Sequence, residues 1–286
     1  MTAAVETKRM ALGDQELSYN ELDGGDRPFV LLHGLTGHRD DFLPRLPDLA
    51  DLGRLLVPDL RGHGDFTHTG REEDYTFAQL VEDTVALLDA WGIEHCDLLG
   101  HSFGGMVALR FALAYPERVD SLILMDTAPS SPAGYTPEMF EKAGAIARSR
   151  GMVFLQEMVE KSTRGRVDLS PSDRHVEDWG DAYWPHHRRR YAAMDPVGYW
   201  GLGLAMVRQE SLADRLGEIR CPTTILVGED DESFLPGADA FAAGIDGAVR
   251  ETIPGAGHHP HMENPPVWLA AVRAHFARRG PGAGVG

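Results

Sequence analysis

The amino-acid sequence predicts an α/β fold with a mostly parallel, doubly wound sheet and a helical cap. Along most of the 286 residues, short apolar runs alternate with segments of helical periodicity, the pattern of strands joined by crossover helices. Most of these runs are apolar on consecutive residues, as expected for strands that helices cover on both faces. The alternation stops between about residues 133 and 210, where helical stripes occur without a convincing strand.

Six segments are predicted to be strands of the sheet, and a hairpin is predicted at one sheet edge. The hairpin covers about residues 7–22 and turns at Gly13 and Asp14, because both residue types favour tight turns. The predicted strands are residues 29–32, 54–60, 96–100, 121–125, 223–227 and 249–253.

Helical periodicity is clear in two segments that alternate with these strands. Residues 76–92 place their apolar side chains on one stripe, begin with a capping box of Thr76 and Gln79, and end at Gly92, where a C-terminal glycine is favoured. Residues 265–278 have a second apolar stripe and are predicted to form the last helix.

The segment 133–210 is predicted to be a helical cap inserted after the strand that ends near Asp126. It holds 9 of the 23 aromatic residues, and its 11 basic residues balance its 11 acidic ones. An insertion at the carboxyl end of a strand lies over the usual ligand crevice of an α/β sheet. We therefore predict a core of residues 1–132 and 211–286 beneath a neutral, aromatic cap of residues 133–210.

The formal net charge of −17 comes from 27 Lys and Arg residues against 44 Asp and Glu residues. An acidic surface disfavours nucleic acid and anionic membranes as partners, since both attract a basic face. All of this charge falls outside the predicted cap. The charge therefore does not exclude an anionic small molecule as substrate.

Cysteine usage and apolar patterning predict a cytoplasmic protein. Two cysteines, Cys96 and Cys221, cannot form a disulfide framework. The opening residues MTAAVETKRM lack the apolar stretch of a signal peptide. No run of about 18 apolar residues occurs, so we expect no transmembrane helix.

The string GHSFG at residues 100–104 is the sharpest chemical signal. It follows the apolar run CDLLG and opens a helical segment, which is the strand–turn–helix context that holds a serine in a sharp, exposed bend. Gly100 and Gly104 suit this bend because side chains at those positions would clash. The context predicts a nucleophile at Ser102.

A nucleophilic serine needs a base, an orienting acid and donors for an oxyanion. The strand TTILVG is followed by Glu229, Asp230 and Asp231, any of which is a candidate acid, with Asp231 placed best beyond the strand end. The last strand leads into a glycine-rich loop that carries His258, the candidate base.

The motif HGLTG at residues 33–37 follows another strand. Its glycines free backbone N–H groups to point inward, so the amides of Leu35 and Phe103 are candidates for the oxyanion hole. His33 is interpreted as a structural histidine that pins this loop. His259 and His261 follow His258 closely, but three histidines on one short loop rarely converge on one ion, so we predict neither a metal nor a cofactor.

The sequence resembles the α/β-hydrolase superfamily. The resemblance rests on HGLTG at residue 33, PDLRGHG at 58, GHSFGG at 100, LVGEDD at 226 and GAGHHPHMENP at 255. It implies the α/β-hydrolase fold with Ser102 as nucleophile, His258 as general base and Asp231 as orienting acid. It also implies that the amides of Leu35 and Phe103 form the oxyanion hole.

Two features set this chain apart from the usual pattern of the superfamily. Asp65 and Phe66 follow the RGHG motif, where relatives usually carry a small residue and then serine. This departure concerns the packing of that loop. Asp126 is an alternative acid, because some relatives place the acid after this earlier strand.

The resemblance implies a serine hydrolase that cleaves a carboxylic ester or lactone of a small to medium, partly apolar substrate through an acyl-enzyme on Ser102. A serine nucleophile argues against dehalogenase and epoxide hydrolase chemistry, which use a carboxylate. The alternatives are a C–C bond hydrolase of vinylogous diketones, a cofactor-free perhydrolase, and a ligand receptor on a hydrolase fold. The protein is expected to be a monomer or homodimer.

The aromatic side chains of the cap are the candidates for a substrate pocket. The basic run HHRRR at residues 186–190 is interpreted as a solvated helix face, and the alternative is that Arg188, Arg189 or Arg190 meets a substrate carboxylate. The predicted pocket residues are Trp179, Tyr183, Trp184, Tyr199 and Trp200, with Tyr191, Met152, Met158, Met194 and Met206 as further candidates.

Overall fold

An eight-stranded, mostly parallel sheet organises the protein in a computed structural model that describes residues 4–164, 166, 174, 176 and 179–279. The strand order is β1-β2-β4-β3-β5-β6-β7-β8, with β1 antiparallel to β2, β2 antiparallel to β4, and the other pairs parallel. The strands are β1 Glu6–Leu12, β2 Gln15–Leu22, β3 Pro28–Leu32, β4 Arg54–Pro58, β5 Cys96–His101, β6 Val119–Met125, β7 Thr223–Gly228 and β8 Val249–Ile253.

The strand predictions are confirmed, with two differences of two residues each: β6 begins at Val119 instead of Ser121, and β4 ends early. The edge hairpin turns at Gly13 and Asp14 as predicted. The strand β4 ends at Pro58 instead of continuing to Leu60. The physical reason is that the Leu60 N–H donates to the His33 ring (3.1 Å) instead of to a neighbouring strand.

Helices cover both faces of the sheet, because inner strands alternate their apolar side chains between two cores. In β3, Val30 belongs to the core under one face, while Phe29 and Leu31 belong to the other. The first face carries α1 Phe77–Ala90, α2 Phe103–Ala114 and a later helix, Leu235–Gly244; the second carries a 3₁₀ segment, Leu46–Leu52, and the last helix, Pro265–Arg279.

The first helix begins at the predicted cap, but only the Thr76 half of the predicted capping box forms, because the Gln79 side chain turns to Asp83 (3.1 Å). The hydroxyl of Thr76 accepts the N–H of Gln79 (3.1 Å), which caps the N-terminus of α1. Gly92 follows the helix with φ +68°, a conformation that glycine adopts without steric cost.

Helices fill the segment between β6 and β7, in agreement with the predicted insertion. They are α3 Pro137–Arg150, α4 Met152–Arg164, α5 Trp184–Ala192 and α6 Pro196–Arg208. The helix α3 packs on α4 and α6, and α4 packs on α5. Parts of the predicted cap, residues 165, 167–173, 175, 177 and 178, lie outside the described residues. The remaining helices are α7 Leu235–Gly244, α8 Pro260–Glu263 and α9 Pro265–Arg279.

A buried carboxylate joins the insertion to the core. Asp195 caps α6 by accepting the Val197 N–H (2.9 Å), and it also accepts hydrogen bonds from the Gly70 N–H (3.1 Å) and the Tyr75 hydroxyl. The connection between β4 and α1 therefore meets the start of α6 at Asp195, a residue that is 3% exposed.

The unusual dipeptide after the RGHG motif has a structural role. Phe66 is buried, and the Arg61 guanidinium lies 5.1 Å above its ring. Arg61 is itself held by two hydrogen bonds of 2.7 Å to Asp83. Asp65 pairs with Arg39 (2.9 Å) at the surface. The departure from the usual pattern therefore gives this loop an aromatic anchor.

Among the described helices, none is long and apolar enough to cross a membrane.

Candidate active site

Ser102 occupies a strained turn between β5 and α2. Its backbone has φ +54° and ψ −120°, a conformation that L-residues rarely adopt. Glycines make the turn possible: a Cβ added at Gly100 would lie 2.5 Å from the Gly104 carbonyl oxygen, and one added at Gly104 would lie 2.4 Å from the carbonyl oxygen of His33. The turn therefore holds the serine in the bend that the motif predicts.

The structure brings Ser102, His258 and Asp231 together at the carboxyl edge of the sheet. His258 Nε2 lies 3.0 Å from Ser102 Oγ, and His258 Nδ1 lies 2.7 Å from Asp231 Oδ2. Because a carboxylate only accepts, Nδ1 carries the proton and Nε2 presents its lone pair to the hydroxyl. This is the arrangement in which an imidazole can take the serine proton.

Three neighbours hold His258 in place, and one of them, Asp231, also raises the pKa of its ring. Burial disfavours the charged ring, but the Asp231 carboxylate outweighs burial and raises the pKa of His258 above its usual value. Phe234 stacks on the ring with centroids 4.8 Å apart. His101 lies 2.7 Å from the His258 carbonyl oxygen and donates to it through Nε2. No signal in the sequence pointed to these roles of Phe234 and His101.

The candidate oxyanion loop lies directly against the serine. A Cβ added at Gly34 would lie 3.1 Å from the Ser102 Cβ, so the loop that carries Leu35 approaches as closely as glycine permits. Leu35 lines the same cavity as Ser102. Phe103 is the first residue of α2, and first-turn amides have no acceptor within their own helix. Both predicted amides are therefore next to the nucleophile.

Asp126, the alternative acid, lies beside Asp231 and His258, but it is Asp231 that faces His258 Nδ1 (2.7 Å). It is fully buried, and its Oδ1 accepts the Gly228 N–H (2.8 Å). Oxygen or nitrogen atoms of Asp126, Asp231 and His258 lie within 4.8 Å of one another, a spacing that would also suit a metal ion. However, the two ring nitrogens of His258 already face Asp231 and Ser102. We therefore interpret the cluster as a hydrogen-bonded one.

A cavity of about 310 Å³ opens above Ser102. Of the predicted pocket residues, Tyr183 and Tyr199 line it, whereas Trp179 lines a neighbouring cavity of about 350 Å³. Tyr191 and Met206, two further pocket candidates, also line the cavity, whereas Met152, Met158 and Met194 are not among its lining residues. The aromatic and apolar lining residues that the sequence did not single out are Tyr135, Met139, Phe140, Ala143 and Phe234.

The structure corrects the pocket prediction for Trp184 and Trp200. Trp184 is buried inside the insertion, with its ring 5.2 Å from His187. Trp200 lies against Gly144 and under the Arg148 guanidinium (4.2 Å), at a separate shallow cavity. Both rings hold helices of the insertion together.

Comparison with known proteins agrees with this geometry. A sequence profile of the family described as alpha/beta hydrolase fold matches residues 27–265. The chain belongs to the α/β-hydrolase family. This α/β hydrolase is 28% identical over 276 residues to an sn-1-specific diacylglycerol lipase of Mus musculus, with 91% of this chain and 85% of that protein covered.

Solved structures give the same result for this α/β hydrolase. A thermophilic esterase from Thermogutta terrifontis has a TM-score of 0.81 at 26% identity and covers 96% of this chain and 100% of its own. An enol-lactonase from Burkholderia xenovorans LB400 has a TM-score of 0.80 at 23% identity, with 94% and 100% covered, a likeness that concerns the fold. The predicted superfamily and fold are confirmed, and the protein is an enzyme of the hydrolase class.

Two histidines of the hydrolase cross-link the loops on which the site rests. His33 Nε2 accepts the Leu60 N–H (3.1 Å), and His63 Nε2 accepts the Thr36 N–H (3.1 Å). The other nitrogens donate to the carbonyl oxygens of Gly34 (2.9 Å) and Arg61 (3.1 Å). The predicted structural role of His33 agrees with these bonds. The matching role of His63 was missed.

Burial keeps both of these rings neutral. It lowers the pKa of His33 to about 4 and that of His63 to about 3. A neutral ring with one donor and one acceptor is what the two loops require. The candidate oxyanion loop is therefore positioned by hydrogen bonds that depend on uncharged histidines.

The three arginines of the basic run have different environments. Arg188 is exposed and pairs with Glu160 (2.9 Å), and Arg189 is exposed and pairs with Asp40 (2.7 Å). Arg190 is buried and lines the cavity above Ser102. The solvated-face interpretation therefore fits the first two arginines and not the third.

Proposed function

We propose that this α/β hydrolase cleaves a carboxylic ester or lactone of a small to medium, partly apolar substrate through an acyl-enzyme on Ser102. The observation that carries the proposal is the imidazole of His258, which lies 3.0 Å from Ser102 Oγ and 2.7 Å from Asp231 Oδ2. A serine linked to a base that is oriented by a carboxylate is the constellation of acyl transfer.

In the proposed first half-reaction, Ser102 Oγ attacks the substrate carbonyl carbon while His258 Nε2 takes the hydroxyl proton. The carbonyl oxygen becomes an oxyanion that accepts hydrogen bonds from the amides of Leu35 and Phe103. His258 then donates its proton to the leaving oxygen, the carbon–oxygen bond breaks, and the alcohol departs. Each oxyanion donor contributes roughly 10²- to 10³-fold to kcat in comparable enzymes.

In the second half-reaction, water attacks the acyl carbon and gives its proton to His258. The carbon–oxygen bond to Ser102 breaks, and His258 returns the proton to the serine oxygen. The products are a carboxylic acid and the free enzyme. A lactone follows the same steps, with the alcohol remaining attached to the acid.

The cavity supports a substrate of modest size and mixed polarity. A volume of about 310 Å³ is at the lower end of the range for small-molecule sites. Apolar side chains such as Phe140 and Met206 line part of it, while Tyr183 and Arg190 supply polar groups. The names of the relatives also support ester or lactone cleavage, since they include a lipase, an esterase and an enol-lactonase.

The test is turnover of short p-nitrophenyl esters and of a lactone by wild type and by Ser102→Ala. We expect multiple turnovers by wild type and a loss of kcat of at least about 10³-fold in the variant, because the covalent step is removed. Ser149→Ala is the matched control, since Ser149 is exposed on α3 and bonds to the backbone of its own helix.

Retention of more than a few percent of kcat by a folded Ser102→Ala variant would contradict the proposal. A single slow turnover with tight binding would favour a receptor, and cleavage of a dienone without ester cleavage would favour the C–C bond hydrolase. Labelling of wild type, but not of Ser102→Ala, by a fluorophosphonate identifies the reacting serine directly.

A further inference from the structure

Arg190 stands out among the side chains that line the catalytic cavity. Arg190 is only 6% exposed. Of the described residues that line this cavity, Arg190 supplies the one arginine or lysine charge and Asp41 the one carboxylate. Arg190 also lines the neighbouring cavity that contains Trp179, so its guanidinium lies where the two spaces meet.

The guanidinium of Arg190 is held by long contacts. Its Nη1 lies 3.6 Å from Asp41 Oδ2, and its Nη2 lies 3.4 Å from the Tyr183 hydroxyl. Its buried Nε has no hydrogen-bond partner among the described residues. The buried pair of Arg61 and Asp83 differs sharply, since two bonds of 2.7 Å join those side chains. A buried N–H without an acceptor is costly, so Arg190 is short of acceptors.

Asp41 does not depend on Arg190 for its hydrogen bonds. Its Oδ2 accepts the His38 N–H (3.1 Å), and its Oδ1 accepts from His186 Nε2 (2.7 Å). Burial favours the neutral acid, but the Arg190 charge and the hydrogen bond from His186 hold the pKa of Asp41 well below its usual range. Asp41 therefore stays ionised and holds Arg190 in place, but it does not form short hydrogen bonds with the guanidinium N–H groups.

His187 and His259, which line the cavity together with Arg190, do not compete with it as cations. Burial, followed by the Arg190 charge, lowers the pKa of His187 to about 3. Burial also holds the pKa of His259 well below its usual range. The guanidinium is therefore the cationic group of this end of the cavity, in surroundings from which water is largely excluded. Such surroundings strengthen a charge-assisted hydrogen bond.

We propose that Arg190 binds a carboxylate of the substrate, so that the preferred substrates are anionic esters or lactones, such as half-esters of dicarboxylic acids. The proposal rests on the proposed function and names its substrate class. A planar carboxylate matches the guanidinium fork and supplies acceptors for Nη1 and Nη2, whose present contacts are 3.6 and 3.4 Å long. The carboxylate binds at Arg190 while the scissile carbonyl lies at Ser102, because both residues line one cavity.

The experiment compares p-nitrophenyl hydrogen glutarate with p-nitrophenyl hexanoate, a neutral ester of similar length, at pH 7.5. We expect Arg190→Gln to lower the ratio of kcat/KM for the acidic ester to that for the neutral ester by about tenfold or more, mainly through KM. Arg190→Lys keeps the positive charge but loses the planar pair of N–H donors, so its ratio should lie between those of wild type and Arg190→Gln. Arg188→Gln is the matched control, because it removes an adjacent charge at the surface.

A structural role for Arg190 would lower both kcat/KM values equally, and an unchanged ratio would overturn the proposal. The proposed function fails in a different way, namely if wild type hydrolyses neither ester. A second measurement needs no variant: pentanoate should inhibit wild-type hydrolysis of the neutral ester competitively, with an inhibition constant about tenfold or more below that of pentanamide. Equal inhibition by the two compounds would also overturn the proposal.

Discussion

Asp126 and Asp231 lie side by side next to His258, beyond the ends of the adjacent parallel strands β6 and β7. Burial and the neighbouring Asp231 charge hold the pKa of Asp126 well above its usual range, since two adjacent carboxylates do not both ionise. Asp126 therefore favours the neutral acid, and Asp231 is the carboxyl group that faces His258 Nδ1 (2.7 Å).

We expect Asp126→Asn and Asp231→Asn to differ strongly in activity. Asparagine resembles a neutral carboxylic acid in shape and charge, so Asp126→Asn should keep kcat within about threefold. Asp231→Asn removes the carboxylate that orients His258 and should lower kcat by roughly 10²- to 10⁴-fold. Steady-state kinetics on the neutral ester measure both effects, and thermal melting checks the fold of each variant.

The reverse order of effects would assign the acid to Asp126. The double variant adds a further check: with both carboxyl groups replaced, activity should fall to the level of Asp231→Asn and no lower. A much lower value would mean that Asp126 takes over when Asp231 is absent.

The pH dependence of kcat/KM should report the ionisation of His258. The ring must be neutral to accept the Ser102 proton, so activity is lost as pH falls through its pKa. Because the Asp231 charge raises that pKa in spite of burial, we expect the half-maximal point of the acid limb above pH 6.5. The other titratable or charged groups facing the ring are Asp126, Glu263, His101, His259 and Arg190.

A flat profile between about pH 5 and 9 would contradict a histidine base. Asp231→Asn is the control. Without the carboxylate charge, burial should lower the pKa of His258, so the acid limb of the profile should move to lower pH.

His63→Gln should impair catalysis more than binding. Glutamine cannot reproduce both the acceptor for the Thr36 N–H and the donor to the Arg61 carbonyl with the geometry of a ring. The oxyanion loop then loses its position relative to Ser102, so we expect kcat to fall about tenfold or more with a small change in KM. We also expect the free energy of unfolding to fall by about 1–3 kcal/mol.

His95→Gln is the control for that variant, because His95 is partly exposed and pairs with Asp120 away from the site. Equal losses of kcat in the two variants, or a loss confined to KM for His63→Gln, would show that His63 does not position the loop.

The core and the juxtaposition of Ser102, Asp231 and His258 were predictable because their signals are local. Parallel strands covered on both faces require consecutive apolar residues, and the bend at Ser102 requires glycines on either side, so both leave short patterns. The cavity leaves no such pattern. Tyr199 and Trp200 are adjacent in sequence but point about 100° apart on α6, and only the first lines the cavity. The same rotation about the axis of α5 points Arg190 into the cavity and Arg189 toward Asp40.

A chain of hydrogen bonds far from the active site fixes the protonation of His275. Ser121 donates to Asp97, so its oxygen accepts from His275 Nε2 (2.8 Å). Arg278 donates to the Thr224 hydroxyl oxygen (2.9 Å), whose proton then goes to His275 Nδ1 (2.7 Å). Each group is satisfied only if the ring is neutral. Burial, with the nearby arginine charges, lowers the pKa of His275 to about 3.

This chain should make the protein less stable in mild acid. Above about pH 6.5 the ring is neutral in both the folded and the unfolded chain, so it adds no pH dependence. Between about pH 6.5 and 3 the unfolded chain binds a proton at this residue that the folded chain excludes. The free energy of unfolding therefore decreases by about 1.4 kcal/mol for each unit by which the pH is lowered. We therefore expect the loss of stability from pH 7.5 to 5.5, measured by urea unfolding, to be smaller by about 1.4 kcal/mol in His275→Gln than in wild type. If both proteins lose the same amount, His275 takes up its proton in the folded state as readily as in the unfolded one, and the hydrogen-bond chain does not hold it neutral.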